Sequence, residues 1–160
     1  MIRYAEKRDA EDICNIYNYY VVNTTITFEE QVVSIEEMRD RISEILERLP
    51  YLVFEEDGKV IGYAYATKWK ARSAYKYSVE TTVYLHKDRS GFGIGTKLYQ
   101  SLLEELKFKG LHRAIGGVAL PNKASVSLHE KLGFKKVAEF GEVGNKFNKW
   151  INVGYWEYTI

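Results

Sequence analysis

Three glycines at alternate positions, Gly91, Gly93 and Gly95, lie between a β-prone run ending Val83-Tyr84-Leu85 and a helix-period pattern that begins at Ile94. Glycines let backbone N–H groups converge without Cβ obstruction, and a helix start behind them adds unpaired donors and a favourable dipole. The chemistry this spacing suits is anion binding, a cradle for a phosphate-bearing cofactor; a tight turn is the alternative reading of the same residues. Two familiar nucleotide motifs do not fit. Lys97 follows Thr96 rather than a glycine, so no G-x-x-x-x-G-K-[ST] is present. The spacing is G-x-G-x-G rather than G-x-G-x-x-G, and the next strand ends Ala119-Leu120-Pro121-Asn122, with no acid to hold a ribose. His86, His112 and His129 lack metal-ligand spacing with one another or with Cys14, and no metal is expected.

The cradle needs a strand before it and a helix after it, and the pattern supplies both. Tyr77 to Leu85 is β-prone; Ile94, Leu98, Leu102 and Leu106, widened by Tyr99 and Leu103, form a helical stripe that Gly110 terminates. Upstream, Ile2 to Tyr4 reads as a short strand and Asp9 as the N-cap of a helix bearing Ile13, Ile16, Tyr17 and Tyr20, in which Cys14 is a core residue. Val21 to Val33 breaks period and reads as an irregular loop. Ser34-Ile35-Glu36-Glu37 has capping-box form and opens a helix that continues through Leu49 to Pro50. Tyr51 to Glu55 and Val60 to Thr67 flank Glu56-Asp57-Gly58-Lys59, a hairpin turn, and Tyr77 to Leu85 extends the same antiparallel sheet. Arg113 to Leu120 reads as a strand, Asn122 caps a helix with Ala124, Leu128 and Leu132 inward, and Lys136 to Phe140 and Val153 to Thr159 are the last strands. Strands run consecutively and then alternate with helices, so the class is α/β (α+β) with a mixed, mostly antiparallel central sheet flanked by helices.

The chain has 160 residues and a formal charge of +1. That length suits a single domain over residues 1–160 with a substantial core. The near-neutral balance gives no basic footprint for nucleic acid. No apolar run approaches a membrane span, and charges at Arg3, Glu6, Lys7, Arg8 and Asp9 interrupt any leader-like stretch, so no membrane partner and a cytoplasmic location are expected. A lone cysteine accords with a reducing compartment.

The order strand, glycine loop, amphipathic helix, strand, Asn-capped helix, Gly-Phe resembles the GNAT superfamily of acetyl-CoA-dependent N-acetyltransferases over nearly the whole chain. Three stretches are similar to phosphinothricin and methionine sulfone/sulfoximine N-acetyltransferases: Trp69-Lys70-Ala71-Arg72-Ser73-Ala74-Tyr75, Val79 to Leu85, and Gly144 to Trp156. The resemblance implies a GNAT fold with splayed strands at the cofactor site. It implies acetyl-CoA with its diphosphate on the backbone of Gly91, Phe92, Gly93, Ile94, Gly95 and Thr96 and its pantetheine paired with Val83, Tyr84 and Leu85. Ser90 departs from the Gln or Arg usual at the loop's opening, with Arg89 one residue early. Asn122 and Lys131 match cofactor-touching positions; each also has an ordinary structural reading, as an N-cap and as a solvated helix residue.

Acetyl transfer needs a neutral amine, donors near the thioester carbonyl, and a route for the proton. By resemblance Glu80 is the base, or an anchor for the substrate ammonium. The Val83 amide is the natural oxyanion donor if the strand carries a bulge. His129 stands where relatives carry a thiolate-facing tyrosine, and packing beside Leu128 and Leu132 is its other reading. The acceptor pocket implied by the resemblance comprises Phe28, Arg72, Ser73, Ala74, Tyr75, Glu80, Thr81 and Thr82. The acceptor is expected to be the α-amino group of a small amino acid or analogue, acetylated by direct transfer. A polyamine, aminoglycoside or protein N-terminus, or an acetyl-CoA-binding module without turnover, are the competing functions. The last strand and its Lys146 to Trp150 turn are expected to complete the pocket or a homodimer contact.

Overall fold

The computed structural model describes all 160 residues. Its elements are β1 (Ile2–Tyr4), α1 (Ala10–Asn23), α2 (Ile35–Leu46), β2 (Tyr51–Glu56), β3 (Lys59–Lys68), β4 (Ser78–Leu85), α3 (Ile94–Phe108), β5 (Arg113–Ala119), α4 (Lys123–Lys131), β6 (Lys135–Lys146) and β7 (Lys149–Thr159), with 3₁₀ turns at Lys7–Asp9 and Ser73–Tyr75. They form one seven-stranded sheet in the order β1-β2-β3-β4-β5-β7-β6. Every pairing is antiparallel except β4 with β5. No helix is long and apolar enough to cross a membrane.

The period-2 alternation of β2 and β3 sorts the core into two layers. Tyr51, Val53 and Tyr63 face α1 and α2, packing with Ile13, Ile16, Tyr17, Met38 and Ile42. Leu52, Ala64 and Ala66 face the opposite way, onto Leu98, Tyr99, Leu102 and Leu106 of α3, each of which is fully buried. Truncating one of these leucines to alanine would cost about 2–5 kcal/mol.

Several expectations change. Helix α1 continues through Asn23, because Val21 lies one turn beyond Tyr17 and fills the core at 1% exposure. It stops where Thr24 turns its amide and hydroxyl back onto the Tyr20 carbonyl. Asp9 does occupy the N-cap position, but its carboxylate caps nothing in α1; it takes two hydrogen bonds from Arg3, both at 2.8 Å, and one from the Glu6 amide. Ser34 caps α2 as anticipated, accepting from the Glu37 amide at 3.1 Å, and the helix ends at Leu46, short of Leu49. In α4 it is His129 that is buried, while Ala124 is exposed. The last two strands are longer than their β-prone cores, because Phe147 and Asn148, both at positive φ, close β6 onto β7 through a two-residue turn of the kind that matches strand twist.

Candidate active site

Strands β4 and β5 run parallel and in register only from Ser78↔Arg113 to Glu80↔Ile115. Beyond that point β4 continues with β3, and β5 with β7, so the sheet opens as a wedge. The bulge on which the Val83 donor was conditional is absent: β4 keeps an unbroken register with β3 from Val79 to Leu85. The exposed backbone has another origin. The His86 amide donates to Ile61, which assigns the even-numbered residues of β4 to the hydrogen-bonded pairs with β3. Alternation then turns the N–H groups of Val83 and Leu85 toward the wedge, where β5 has left. The Leu85 carbonyl, pointing the same way, accepts from the Tyr20 hydroxyl at 2.6 Å.

At the wide end of the wedge lies the glycine loop. Gly91 and Gly93 hold φ of +85° and +75°, a region that side chains adopt only with strain, whereas Gly95 is helical and a Cβ there would meet Leu85 and Leu128 at ordinary contact distances of 3.5 and 3.6 Å. The first backbone bond of α3 runs from the Lys97 amide to Gly93, and the amides from Gly91 to Thr96 donate to no protein acceptor. Arg89 does not turn into this cradle; it pairs with Glu56 at the end of β2 and stacks on Phe92.

The wedge is a cleft of about 420 Å³ lined by both strands, α4 and the segment before α2. It brings together the expected Glu80, Thr81, Thr82, Val83, Tyr84, Asn122, His129 and Phe28. It does not include Arg72, Ser73, Ala74 or Tyr75, which lie exposed on and beside a 3₁₀ turn between β3 and β4. Nor does it include Leu85 or Gly91 to Thr96, which lie beyond its end, or Lys131, which borders a separate cavity with Lys107 and Glu104 of α3. Asn122 caps α4, accepting from the Ser125 amide at 3.1 Å, while lining the cleft. Gly117 and Val143 also line it, and sequence patterning gave them no role; so does Tyr155 of the last strand. Tyr155, packed against Trp69, is the only one of these with a visible signal, since it lies within the third family-like stretch and on the last strand.

Glu80 sits where the strands part. Burial pushes its carboxyl above the ordinary carboxylate range, Lys70 opposes this, and no side chain hydrogen-bonds to it. Across the strand, Thr81 shares a hydrogen bond with the Tyr99 hydroxyl of α3, which in turn reaches His129 Nε2 at 3.1 Å. His129 Nδ1 lies 2.7 Å from the Ser125 carbonyl, which can only accept, so the proton of the neutral ring is on Nδ1 and Nε2 accepts from Tyr99. Burial depresses the imidazole's basicity, more than the Ser125 contact restores, and favours that neutral form. In this arrangement the ring has no N–H to offer a thiolate. It fits against β5 because residue 116 is glycine: a Cβ there would stand 2.4 Å from Nε2.

The fold that carries this strand edge, amide cradle and unpaired carboxyl is one that other solved proteins share. A GNAT superfamily phosphinothricin acetyltransferase from Sinorhizobium meliloti, solved in complex with acetyl-CoA, superposes with a TM-score of 0.96 at 33% identity, over all of this chain and 88% of that one. The class is therefore that of an acyl-transferring enzyme. Residues 2–153 match the acetyltransferase (GNAT) domain model. The phosphinothricin N-acetyltransferase of Streptomyces viridochromogenes is 36% identical over 98% of this chain and 85% of its own length. The L-methionine sulfoximine/L-methionine sulfone acetyltransferase of Salmonella typhimurium is 35% identical over 99% and 94%. The chain belongs to the GNAT family of N-acetyltransferases.

Proposed function

We propose that this enzyme transfers acetyl from acetyl-CoA directly to the α-amino group of a small amino acid or analogue of the phosphinothricin or methionine sulfoximine type, within a single domain over residues 1–160. The observation that carries the reading is the convergence in one cleft of Glu80, unpaired and raised in pKa, with the free odd-numbered edge of β4. The unpartnered amides from Gly91 to Thr96 fit a diphosphate, and the Val83 and Leu85 edge fits an amide-bearing arm such as pantetheine. Asn122 remains a candidate cofactor contact. Lys131, which borders a cavity beside Gln100 and Glu104 of α3, remains a candidate of the same kind.

In the step we assign, Glu80 accepts a proton from the bound ammonium, directly or through water, and the freed amine attacks the thioester carbonyl. The C–N bond forms as the carbonyl becomes an oxyanion, which the wedge-facing Val83 N–H is oriented to receive. The C–S bond then breaks as the adduct nitrogen gives its second proton to water, leaving the neutral amide, and the departing thiolate is protonated from solvent. We assign His129 a positioning role, accepting the Tyr99 proton and holding α4 against Gly116. Phe28, Thr81, Thr82 and Tyr155 form the acceptor end. Arg72 to Tyr75 join it only if the β3–β4 connection folds inward on binding. The exposed Phe140, Val143, Phe147 and Trp150 of the β6–β7 hairpin support a homodimer, which sedimentation at micromolar concentration tests. A cytoplasmic setting accords with the buried, reduced Cys14.

The deciding experiment is thiol release from acetyl-CoA with a panel of amino acids, sulfone and phosphinate analogues, polyamines and peptides. Selective turnover of amino acids supports the reading. Preference for polyamines or peptides replaces the acceptor class, and binding of acetyl-CoA without turnover removes the catalytic assignment.

A further inference from the structure

One charged side chain is buried where the chemistry outlined above gives it nothing to do. Lys146, near the end of β6, is 1% exposed, and its ammonium donates to the Thr27 carbonyl at 2.9 Å. Burial lowers its pKa, opposed by Glu30 and Glu29 of the segment it holds. That segment joins α1 to α2 without regular structure, and three of its residues, Ile26, Thr27 and Phe28, line the cleft. Thr27 is fixed from the other side by a 2.8 Å hydrogen bond to the Tyr17 hydroxyl. Two residues before Lys146, Gly144 gives up a side chain to the same segment: a Cβ there would stand 2.4 Å from the ring of Phe28. An ammonium left in apolar surroundings without a partner is costly, so the contact ties β6 to the loop in both directions.

We propose that Lys146 is a positioning residue for the acceptor end of the cleft: through the Thr27 carbonyl, and with Gly144 seating Phe28, it fixes the segment whose side chains decide which amine fits. Lys146 is not among the cleft-lining residues, so its effect passes through Ile26, Thr27 and Phe28. The acceptor role rests on the acetyltransferase reading given above; the loop clamp does not.

The test uses the full chain with Lys146→Met, which keeps length and loses the donor, and Gly144→Ala, which leaves the charge and displaces the ring. A glutamate-specific protease reads the segment through cleavage after Glu29 and Glu30. Each variant is expected to be cut there about tenfold faster, with global melting nearly unchanged. Acceptor KM should rise about tenfold and the ranking of acceptors by side-chain length should change, while kcat and acetyl-CoA affinity stay within about twofold. A general loss of structure would instead lower kcat and speed cleavage at every glutamate. If Lys146→Met does not fold, Gly144→Ala decides. Unchanged cleavage overturns the clamp, and faster cleavage with an unchanged acceptor profile overturns the specificity role. Absence of turnover by the wild type with every amine overturns the acetyltransferase reading and the acceptor role with it, and is seen before any variant is made; the cleavage arm still decides the clamp.

Discussion

At the β1 edge of the sheet, Arg3 lies between Asp9 and Glu55, giving Asp9 two hydrogen bonds at 2.8 Å and Glu55 two more, from Nε at 2.8 Å and from Nη2 at 2.5 Å. Three strands along, on β4, Glu80 is half-buried and receives none. Burial alone would push the Asp9 carboxyl up, but the bonds from Arg3 and the Glu6 amide outweigh it and hold that carboxyl below its ordinary range. At Glu80 burial prevails and the shift is upward. The same sheet thus uses one carboxylate as a fastener and keeps another basic by denying it partners. The glycine loop extends the contrast, since its amides are also left without protein acceptors.

The sharpest break is Glu80→Gln. As a base, Glu80 should contribute roughly 10² to 10⁴ in rate. Activity of the variant should recover as pH approaches the amine's own pKa, whereas a mere ammonium anchor would show a raised acceptor KM and no such recovery. Stability should move the other way. The folded carboxyl holds its proton more tightly than the unfolded one, so its destabilising charge appears as pH rises through the ordinary carboxylate pKa and is complete above the folded pKa. Glu80→Gln should therefore melt slightly higher than wild type at pH 7, and the gain should vanish in acid, which calorimetry across pH would show.

Next comes Gly93→Val. The strained left-handed φ and the bulk over the cradle should lower acetyl-CoA affinity by about tenfold or more while α3 remains folded, read by calorimetry. Unchanged affinity in a folded variant would detach the loop from cofactor binding. Asp9→Asn tests the other pole. Arg3 keeps Glu55, so the loss should be about 1–3 kcal/mol, below the cost of orphaning a fully buried charge, with kcat unchanged where the protein is folded. Its sign in pH is opposite to that of Glu80: the wild-type stabilisation is present above the unfolded carboxylate pKa and lost as pH falls through the depressed folded value, so variant and wild type should converge in acid. The smallest effect is expected for Gly95→Ala, which meets ordinary contacts inside a helix and should shift stability by no more than about 0.5–1 kcal/mol, upward, leaving acetyl-CoA binding intact.

The sequence carried the elements that local rules specify. The stripe of α3, the Ser34 and Asn122 caps, the β2–β3 hairpin and the glycine loop were all legible because each depends on residues a few positions apart. Asp9 misled for the same reason. Its cap pattern is local, but its partner Arg3 is delivered by strand β1. At the site, Glu80 and the loop could be named from motif order, but the Thr81–Tyr99–His129 chain could not, since Tyr99 reads as one more apolar position on α3. Gly116 gave no sign that its missing Cβ seats a ring from α4. Lys131 sits at a motif position, and α4 carries it to a cavity beside Gln100, Glu104 and Lys107 of α3.

The parting of β4 from β5 has a consequence in time as well as in space. Amide hydrogens along β4 should exchange with solvent in alternation, Val83 and Leu85 fast, Thr82 and Tyr84 slow, because neighbours in sequence belong to opposite edges of the strand. A ligand arm lying along the open edge would slow the odd positions and leave the even ones untouched, so the strand itself would record, residue by residue, how far along it the arm reaches.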